Sequence, residues 1–324
     1  MSQDSGAYQP PDPIKMPPMY AWPPRPIESV VWLIQSFLYP WGFFFIGLAI
    51  VTWKYLTPSM ETMATLEPGW IALIWLRNAG LLTIVAGSLH WRLYIRKSQD
   101  KRFKFDSRWP TRNSKQFTFG DQVTDNMFWS LASGCTMWTS YEALTLWAYA
   151  SGILQTISWI DAPIYLSIMM LAVFFWSTLH FEFAHRPLHW PPLYKVAHAL
   201  HHRNVNTGPW TGISMHPIEH LFYFSQFLLW WVIPVHPVVI ILSGLYQGIS
   251  PAISHCGFEK VELSKNMNWA SGTHFHTLHH QHFEVNYGNL LTPTDKLFNT
   301  WHDGTPAAQA ALVHRRRERH EIEA

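Results

Sequence analysis

Apolar stretches as long as a bilayer is thick restrict the fold of this chain more than any other feature, because about 20 residues of helix are needed to cross the hydrocarbon core. Four such stretches read as spans: Val30 to Trp53, Trp70 to Ile95, Met127 to Ala150 and Ile153 to Leu179. Their ends are rich in Trp and Tyr, rings that favour the headgroup level. With 19 Trp, 20 Phe and 12 Tyr in 324 residues and only 14% charged residues, the composition is that of a membrane protein. A fifth apolar region, Ile218 to Ser250, is broken by Pro234 and Pro237 around His236. Each half is short for a full span, which predicts a re-entrant helical hairpin that returns to its starting side.

Basic residues in short loops set the orientation. The connection between the second and third spans carries Arg92, Arg96, Lys97, Lys101, Arg102, Lys104, Arg108, Arg112 and Lys115, and is expected to be cytoplasmic. The connection between the first two spans holds Glu61 and Glu67 with only Lys54, and the next turn holds Asp161 and no base, so both are expected on the other face. Counting through, the histidine-rich segments and the Arg315-Arg316-Arg317 tail emerge on the cytoplasmic side. The net charge of +2 carries no information about partners. Residues 1–28 read as a Pro-rich cytoplasmic arm, 29–161 as transmembrane helices with the basic loop, 162–303 as a histidine-rich domain and 304–324 as a charged tail.

Two histidine clusters sit beyond the ends of these apolar segments. The first contains His180, His185, His189, His198, His201 and His202, and the second contains His274, His276, His279, His280 and His282. Their cores repeat one spacing, His198-x-x-His201-His202 against His276-x-x-His279-His280. On a helix, such a triplet presents its nitrogens to one side. An isolated histidine is usually an ordinary core or surface imidazole, but neutral imidazoles gain nothing from crowding unless they bind metal. Cys135 and Cys256 are the only cysteines, which argues against thiolate-bound zinc, iron–sulfur clusters and a disulfide framework. His185, His189, His198, His201, His202, His276, His279 and His280 supply enough imidazoles for two metals, and neutral nitrogen ligands suit iron. The expected fold class is therefore all-α: an integral membrane helical bundle with a cytoplasmic histidine-rich metal-binding cap.

The ordered motifs His185-Arg186-Pro187-Leu188-His189, Leu193-Tyr194-Lys195, His198-x-x-His201-His202, His216-Pro217-Ile218-Glu219, His255-Cys256-Gly257-Phe258-Glu259, His276-x-x-His279-His280, Asn286-Tyr287-Gly288 and Asp295-Lys296-Leu297-Phe298 resemble the sterol desaturase and fatty acid hydroxylase superfamily. The resemblance covers about Ala162 to Trp301, and the Gly208-Pro209-Trp210-Thr211-Gly212 segment is closer to the sterol-desaturase branch. It implies two iron ions, dioxygen as co-substrate, and hydroxylation or desaturation of a lipid C–H bond in a sterol, carotenoid, acyl or ether lipid. It adds His255 to the metal ligands, with His180 a weaker candidate. Phe181-Glu182-Phe183-Ala184 stands where many members carry a Tyr-Trp pair, so Glu182, with Glu219, Glu259 and His216, is read chiefly as a group that holds an imidazole N–H. No catalytic residue beyond these and the metal ligands is expected.

Phe175 and Trp176, with Phe222, Phe224 and Phe227 of the broken hairpin, are the expected apolar wall for a lipid entering from the bilayer. Arg77 and Glu142 lie inside expected spans and either pair across helices or line a substrate path. The chain lacks a nucleotide fingerprint and a haem-attachment pattern, so electrons are expected from a separate carrier protein and reductase. Nothing points to nucleic acid. Two other function classes fit membrane histidines: a zinc-dependent hydrolase, for which the twin triplets are excessive, and a metal-binding transporter or structural membrane protein, whose ligands should line a path across the bilayer.

Overall fold

The computed structural model describes residues 7–323, so the first six residues of the expected N-terminal arm lie outside it. In chain order the main helices begin with α1 (Pro26–Tyr55), α2 (Pro68–Ile95), α3 (residues 122–150) and α4 (Pro163–Leu188). Next come α5 (residues 191–202), α6 (Pro217–Phe224) and α7 (Pro237–Ser254). A two-stranded antiparallel hairpin, β1 (Lys260–Ser264) and β2 (Met267–Ala270), precedes α8 (His274–His282), α9 (Thr294–Leu297) and α10 (Pro306–Glu323). The hairpin is the exception to an otherwise helical fold.

Proline opens α1, α2, α4, α5, α6 and α7, where its missing N–H costs nothing and its fixed φ is already helical. Inside α1 the same residue type breaks the helix: Tyr39, which precedes Pro40, is pushed to ψ 134°. Among the described residues, α1, α2, α4 and α7 are long and apolar enough to cross a membrane. This differs from the sequence reading in three places, one of them α7, which was expected to be too short to span. The segment Met127 to Ala150 is helical within α3, but Ser130, Ser133, Thr136, Thr139, Ser140, Glu142 and Thr145 make it too polar to qualify. The fourth helix starts at Pro163 rather than Ile153 and continues to Leu188, carrying His180 and His185 on the same rod as the apolar residues.

The broken apolar region is a helical hairpin, yet its second arm is of spanning length and lies at the centre of the bundle. Helix α7 packs against α1, α2, α3 and α4, which explains why it is apolar on nearly every face. Gly244 and Gly248 lie under the Trp138 indole, and a Cβ at either would meet that ring at 2.5 Å, so only glycine lets α3 and α7 approach this closely. The first arm runs beside α3, with Tyr141 Oη donating to Leu221 O at 3.0 Å and Tyr149 Oη to Trp230 O at 2.7 Å. At the tip, His236 packs on Trp53 with ring centroids 5.3 Å apart, and Tyr165 Oη donates to Pro234 O at 2.8 Å. The tip therefore lies level with the ends of α1 and α3 and the start of α4.

Arg77 and Glu142 form an ion pair between α2 and α3 at 2.5 Å, with side chains 5% and 1% exposed, so of the two expected roles they take the interhelical one. Asn78 Nδ2 also donates to Glu142 Oε2 at 3.1 Å, and Thr57 accepts from Arg77. At the other end of the bundle, a turn at Gly257 (φ 82°) carries the chain from α7 into β1. The basic loop is not simply a solvated charge patch there. Lys104 is fully buried beside Tyr94, Trp109 and Phe258, donates to Asp106 O at 2.7 Å, and is pushed down to about 8 by burial. The described part of the N-terminal arm lies along the same end, through Tyr8 N to Lys104 O and Ile14 N to Asp303 O.

Candidate metal centre

Four helices converge their histidines on that end of the bundle. His185 and His189 are one turn apart across the end of α4, His198, His201 and His202 come from α5, and His276, His279 and His280 from α8, with His255 just past α7. They form two groups: His185, His189, His198, His202 and His279, and separately His201, His255, His276 and His280. Within each group one nitrogen per ring lies within 4.8 Å of all the others. These are the nine histidines named from sequence and resemblance, but the two triplets do not each serve one group.

Residues four apart on a helix share a face, whereas adjacent residues differ by about 100°. His198 and His202 accordingly point into the first group while His201 points into the second. In α8 the assignment is reversed: His276 and His280 join the second group and His279 the first. The two groups are thus interlocked through both triplets.

Hydrogen bonds fix which nitrogen of each ring faces inward. His185 Nδ1 donates to Tyr287 O at 2.7 Å, His279 Nδ1 to Val285 O at 2.7 Å, and His255 Nδ1 to Pro251 O at 2.9 Å. His198 Nδ1 donates to Glu219 Oε1 at 2.8 Å, and His201 Nδ1 lies 3.3 Å from Ser214 O. A neutral imidazole carries one N–H, so these rings turn bare Nε2 lone pairs towards each other. His185 Nε2 is 2.9 Å from His198 Nε2, and His279 Nε2 is 3.1 Å from His202 Nε2. The second group shows the same shortage of partners: His255 Nε2, His276 Nε2 and both nitrogens of His280 are buried without a hydrogen bond. Converging lone pairs and orphaned buried nitrogens are unfavourable by themselves and fit a bound cation.

Burial keeps these rings neutral and ready to ligate. It pushes His201 down to about 4 and His255 to about 3. Each folded value lies below the ordinary 6.5, so the unfolded chain binds more protons between the two values and stability rises with pH there. Their contribution is fully present above about pH 6.5 and is lost as pH falls towards 4 and then 3. Thermal stability, measured from pH 8 to pH 4, is expected to be level down to about 6.5 and to fall below it, while the folded chain keeps its neutral ligands until the pH nears 4. A flat profile to pH 4 contradicts this.

The four candidate supporting groups separate clearly. Glu219 alone holds a clustered imidazole. Glu182 pairs with Arg186 at 2.5 Å instead, and Arg186 continues to Asp295 at 3.1 Å. Glu259 follows the Gly257 turn, so the helical spacing that would aim it beside His255 never forms, and it accepts from Tyr8 Oη at 2.7 Å. His216 caps α6, accepting from Ile218 N at 3.2 Å. His180 also lies outside both groups, its Nε2 2.9 Å from Ser225 Oγ.

Asp295 carries a role that sequence reasoning did not assign. Buried completely, it accepts from Tyr287 N at 3.0 Å and Gly288 N at 2.9 Å, and so holds the strand of chain whose Tyr287 carbonyl receives His185. The Asn286-Tyr287-Gly288 and Asp295-Lys296 motifs were visible, but only folding brings them against α4.

A cavity of about 80 Å³ adjoins the second group, lined by His201, His255 and His276 together with Phe181, Tyr223 and Tyr246. None of the five expected wall residues lines it. Phe224 and Phe227 are packed in the core against Trp138 and Tyr141, Phe222 is 43% exposed, and Phe175 and Trp176 turn to Phe37 and Gln226. Adjacent positions on a helix face different ways, so Tyr223 lines the cavity where its neighbours Phe222 and Phe224 do not, and on α4 Phe181, more than a turn beyond Phe175 and Trp176, lines it instead of them.

Residues 168–300 match the fatty acid hydroxylase family. The Delta(7)-sterol 5(6)-desaturase of Candida albicans is 32% identical over 120 residues, which is 37% of this chain and 30% of that protein. The Saccharomyces cerevisiae enzyme of the same name is 30% identical over 115 residues, 35% of this chain and 30% of that one. Methylsterol monooxygenase 1 of Gallus gallus is 28% identical over 120 residues, 36% of this chain and 40% of that protein. The match therefore spans about a third of these relatives, and no solved structure matches the chain. Over residues 168–300 the chain is thus similar to the fatty acid hydroxylase family and, over about a third of its length, to sterol desaturases.

Proposed function

We propose that this chain is an O2-dependent diiron oxygenase of a membrane, which hydroxylates or desaturates a C–H bond of a lipid, with its active site on the cytoplasmic face. The observation that carries the reading is the pair of interlocked imidazole groups with inward-facing lone pairs at one end of an apolar bundle. His185, His189, His198, His202 and His279 would hold one iron, and His201, His255, His276 and His280 the other. Two irons held there supply the redox chemistry by which dioxygen oxidises an unactivated C–H bond. The protein's own part is positional. Tyr287 O, Val285 O, Pro251 O and Glu219 fix the rings, and Phe181, Tyr223 and Tyr246 offer an apolar approach beside the second group. The basic cytoplasmic loop and the Arg315 to Arg319 tail support the orientation.

Metal analysis of the purified chain, followed by reduction and exposure to O2, tests the reading. Two irons per chain with O2 uptake support it. One zinc without uptake, or metal transport into vesicles, overturns it. Turnover is also expected to need a separate reductase and electron carrier, because no segment of the chain reads as a nicotinamide, flavin or haem site. Repeated turnover by the isolated chain with NADH as sole reductant contradicts that expectation.

A further inference from the structure

The cavity of about 80 Å³ beside the second imidazole group is not apolar all round. The rings of Phe181, Tyr223 and Phe275 share its lining with the hydroxyl residues Tyr246, Ser250 and Thr273. Tyr246 and Ser250 are one turn apart on α7 and so lie on one face, and Thr273 immediately precedes α8. None of these three hydroxyls has a hydrogen bond to another described residue.

Two of them forgo the partner that local geometry offers. A serine or threonine inside a helix often bonds back to the carbonyl four residues earlier, as Ser140, Thr145, Ser167 and Thr178 do here. Ser250 does not. A threonine at a helix N-cap ordinarily accepts from an N–H of the first turn, yet Thr273, with the extended backbone of a cap (φ −97°, ψ 122°), makes no such bond. The Tyr246 ring is held edge-on by Phe174 and Phe45, with centroids 4.9 and 5.4 Å away, and its hydroxyl is left without a protein partner.

Hydroxyls unpaired beside a packed apolar core are unfavourable unless an occupant of the cavity pairs them. Charge restricts that occupant. Among the described residues no Asp, Glu, Lys or Arg lines the cavity, so neither a carboxylate nor an ammonium group would find a counter-ion there. A hydroxyl both donates and accepts, and can therefore bond to side-chain hydroxyls whose own protons rotate to suit. The three groups are also close to the imidazoles. Ser250 is five residues before His255, about 7.5 Å along the helix axis, and Thr273 is three residues before His276, both histidines of the second group.

We propose that Tyr246, Ser250 and Thr273 select the substrate by binding an uncharged hydroxyl group that lies a few bonds from the carbon oxidised. This rests on the oxygenase reading and adds a specificity site to it: a plain hydrocarbon segment leaves the three hydroxyls unpaired, and an ionised carboxylate enters without a cation.

Photolabelling of the detergent-purified full chain tests this without turnover, using three probes that share an eight-carbon chain bearing a diazirine: an octanol, an octane and an octanoate. Scaled for each probe's partition into detergent, the octanol is expected to label segments 246–254 and 273–276 more strongly than the other two. Tyr246→Phe, Ser250→Ala and Thr273→Val, each alone, are expected to weaken that labelling about threefold to tenfold, the effect of one lost hydrogen bond. Labelling by the octane, metal content and melting temperature should stay unchanged in all three. Equal labelling by octanol and octane, or octanol labelling that none of the variants weakens, overturns the hydroxyl site. Stronger labelling by the octanoate overturns the uncharged group, and absence of labelling by every probe overturns the cavity as a binding site. Failure of the oxygenase reading shows separately, as absent iron or absent O2 uptake with the octanol preference intact.

Discussion

Alanine at His201 is expected to abolish turnover and to lower metal content, with the loss falling on the group formed by His201, His255, His276 and His280. The ring is buried, its Nδ1 is set by Ser214 O, and three histidines remain to hold what four held. Alanine at His279 is also expected to abolish turnover, but the loss falls on the other group, where four of five imidazoles remain. The spacing of the triplets alone gives no reason for that difference. Even loss of a group that only supports a ligand typically costs ~10–100-fold in affinity or activity, and that is the effect expected for Glu219→Ala through His198. Metal content and activity measured for the three variants check the assignment. Full metal content and full turnover in His201→Ala show that the second group is not a metal centre.

Alanine at Glu142 is expected to destabilise the bundle by about 3–5 kcal/mol, because Arg77 remains charged and buried without its partner. Arg77→Ala has the same expected direction, leaving Glu142 with only Asn78 as a close donor among the described residues. The double replacement Arg77→Met with Glu142→Leu removes both charges, and apolar pairs of similar volume often replace a buried ion pair with little loss. It should therefore recover most of the stability lost in either single variant. Thermal unfolding in one detergent compares the three. A single variant as stable as the parent shows that the pair contributes little. A double variant that unfolds as readily as the singles shows instead that the side chains act through packing. Metal content should stay unchanged throughout, since the pair lies between α2 and α3 and touches neither imidazole group.

Much of the helical framework can be read directly from residue order, for physical reasons that act locally. A proline at the head of α1, α2, α4, α5, α6 and α7 marks each start, and apolar length marks α1, α2 and α4 as suiting a bilayer, though it also marked part of α3 and not α7. The nine clustered histidines were also legible, because buried neutral imidazoles rarely crowd without a ligand and the ordered motifs carry a family resemblance. What the residue order determined was therefore which side chains assemble and on which helices. The tertiary structure decided how they are shared. Helical spacing fixes the angle between His201 and His202 or between His279 and His280, but the packing of α5, α8 and α4 decides which group each ring enters. The same reason leaves Phe222, Phe224 and Phe227 off the cavity beside the imidazoles and puts Tyr223, Tyr246 and Phe181 on it, since hydropathy records that a residue is apolar and not which way it faces. It also decided that Glu219 reaches an imidazole whereas Glu182 reaches Arg186 and Glu259 reaches Tyr8, because a carboxylate's partner is set by the chain folded against it.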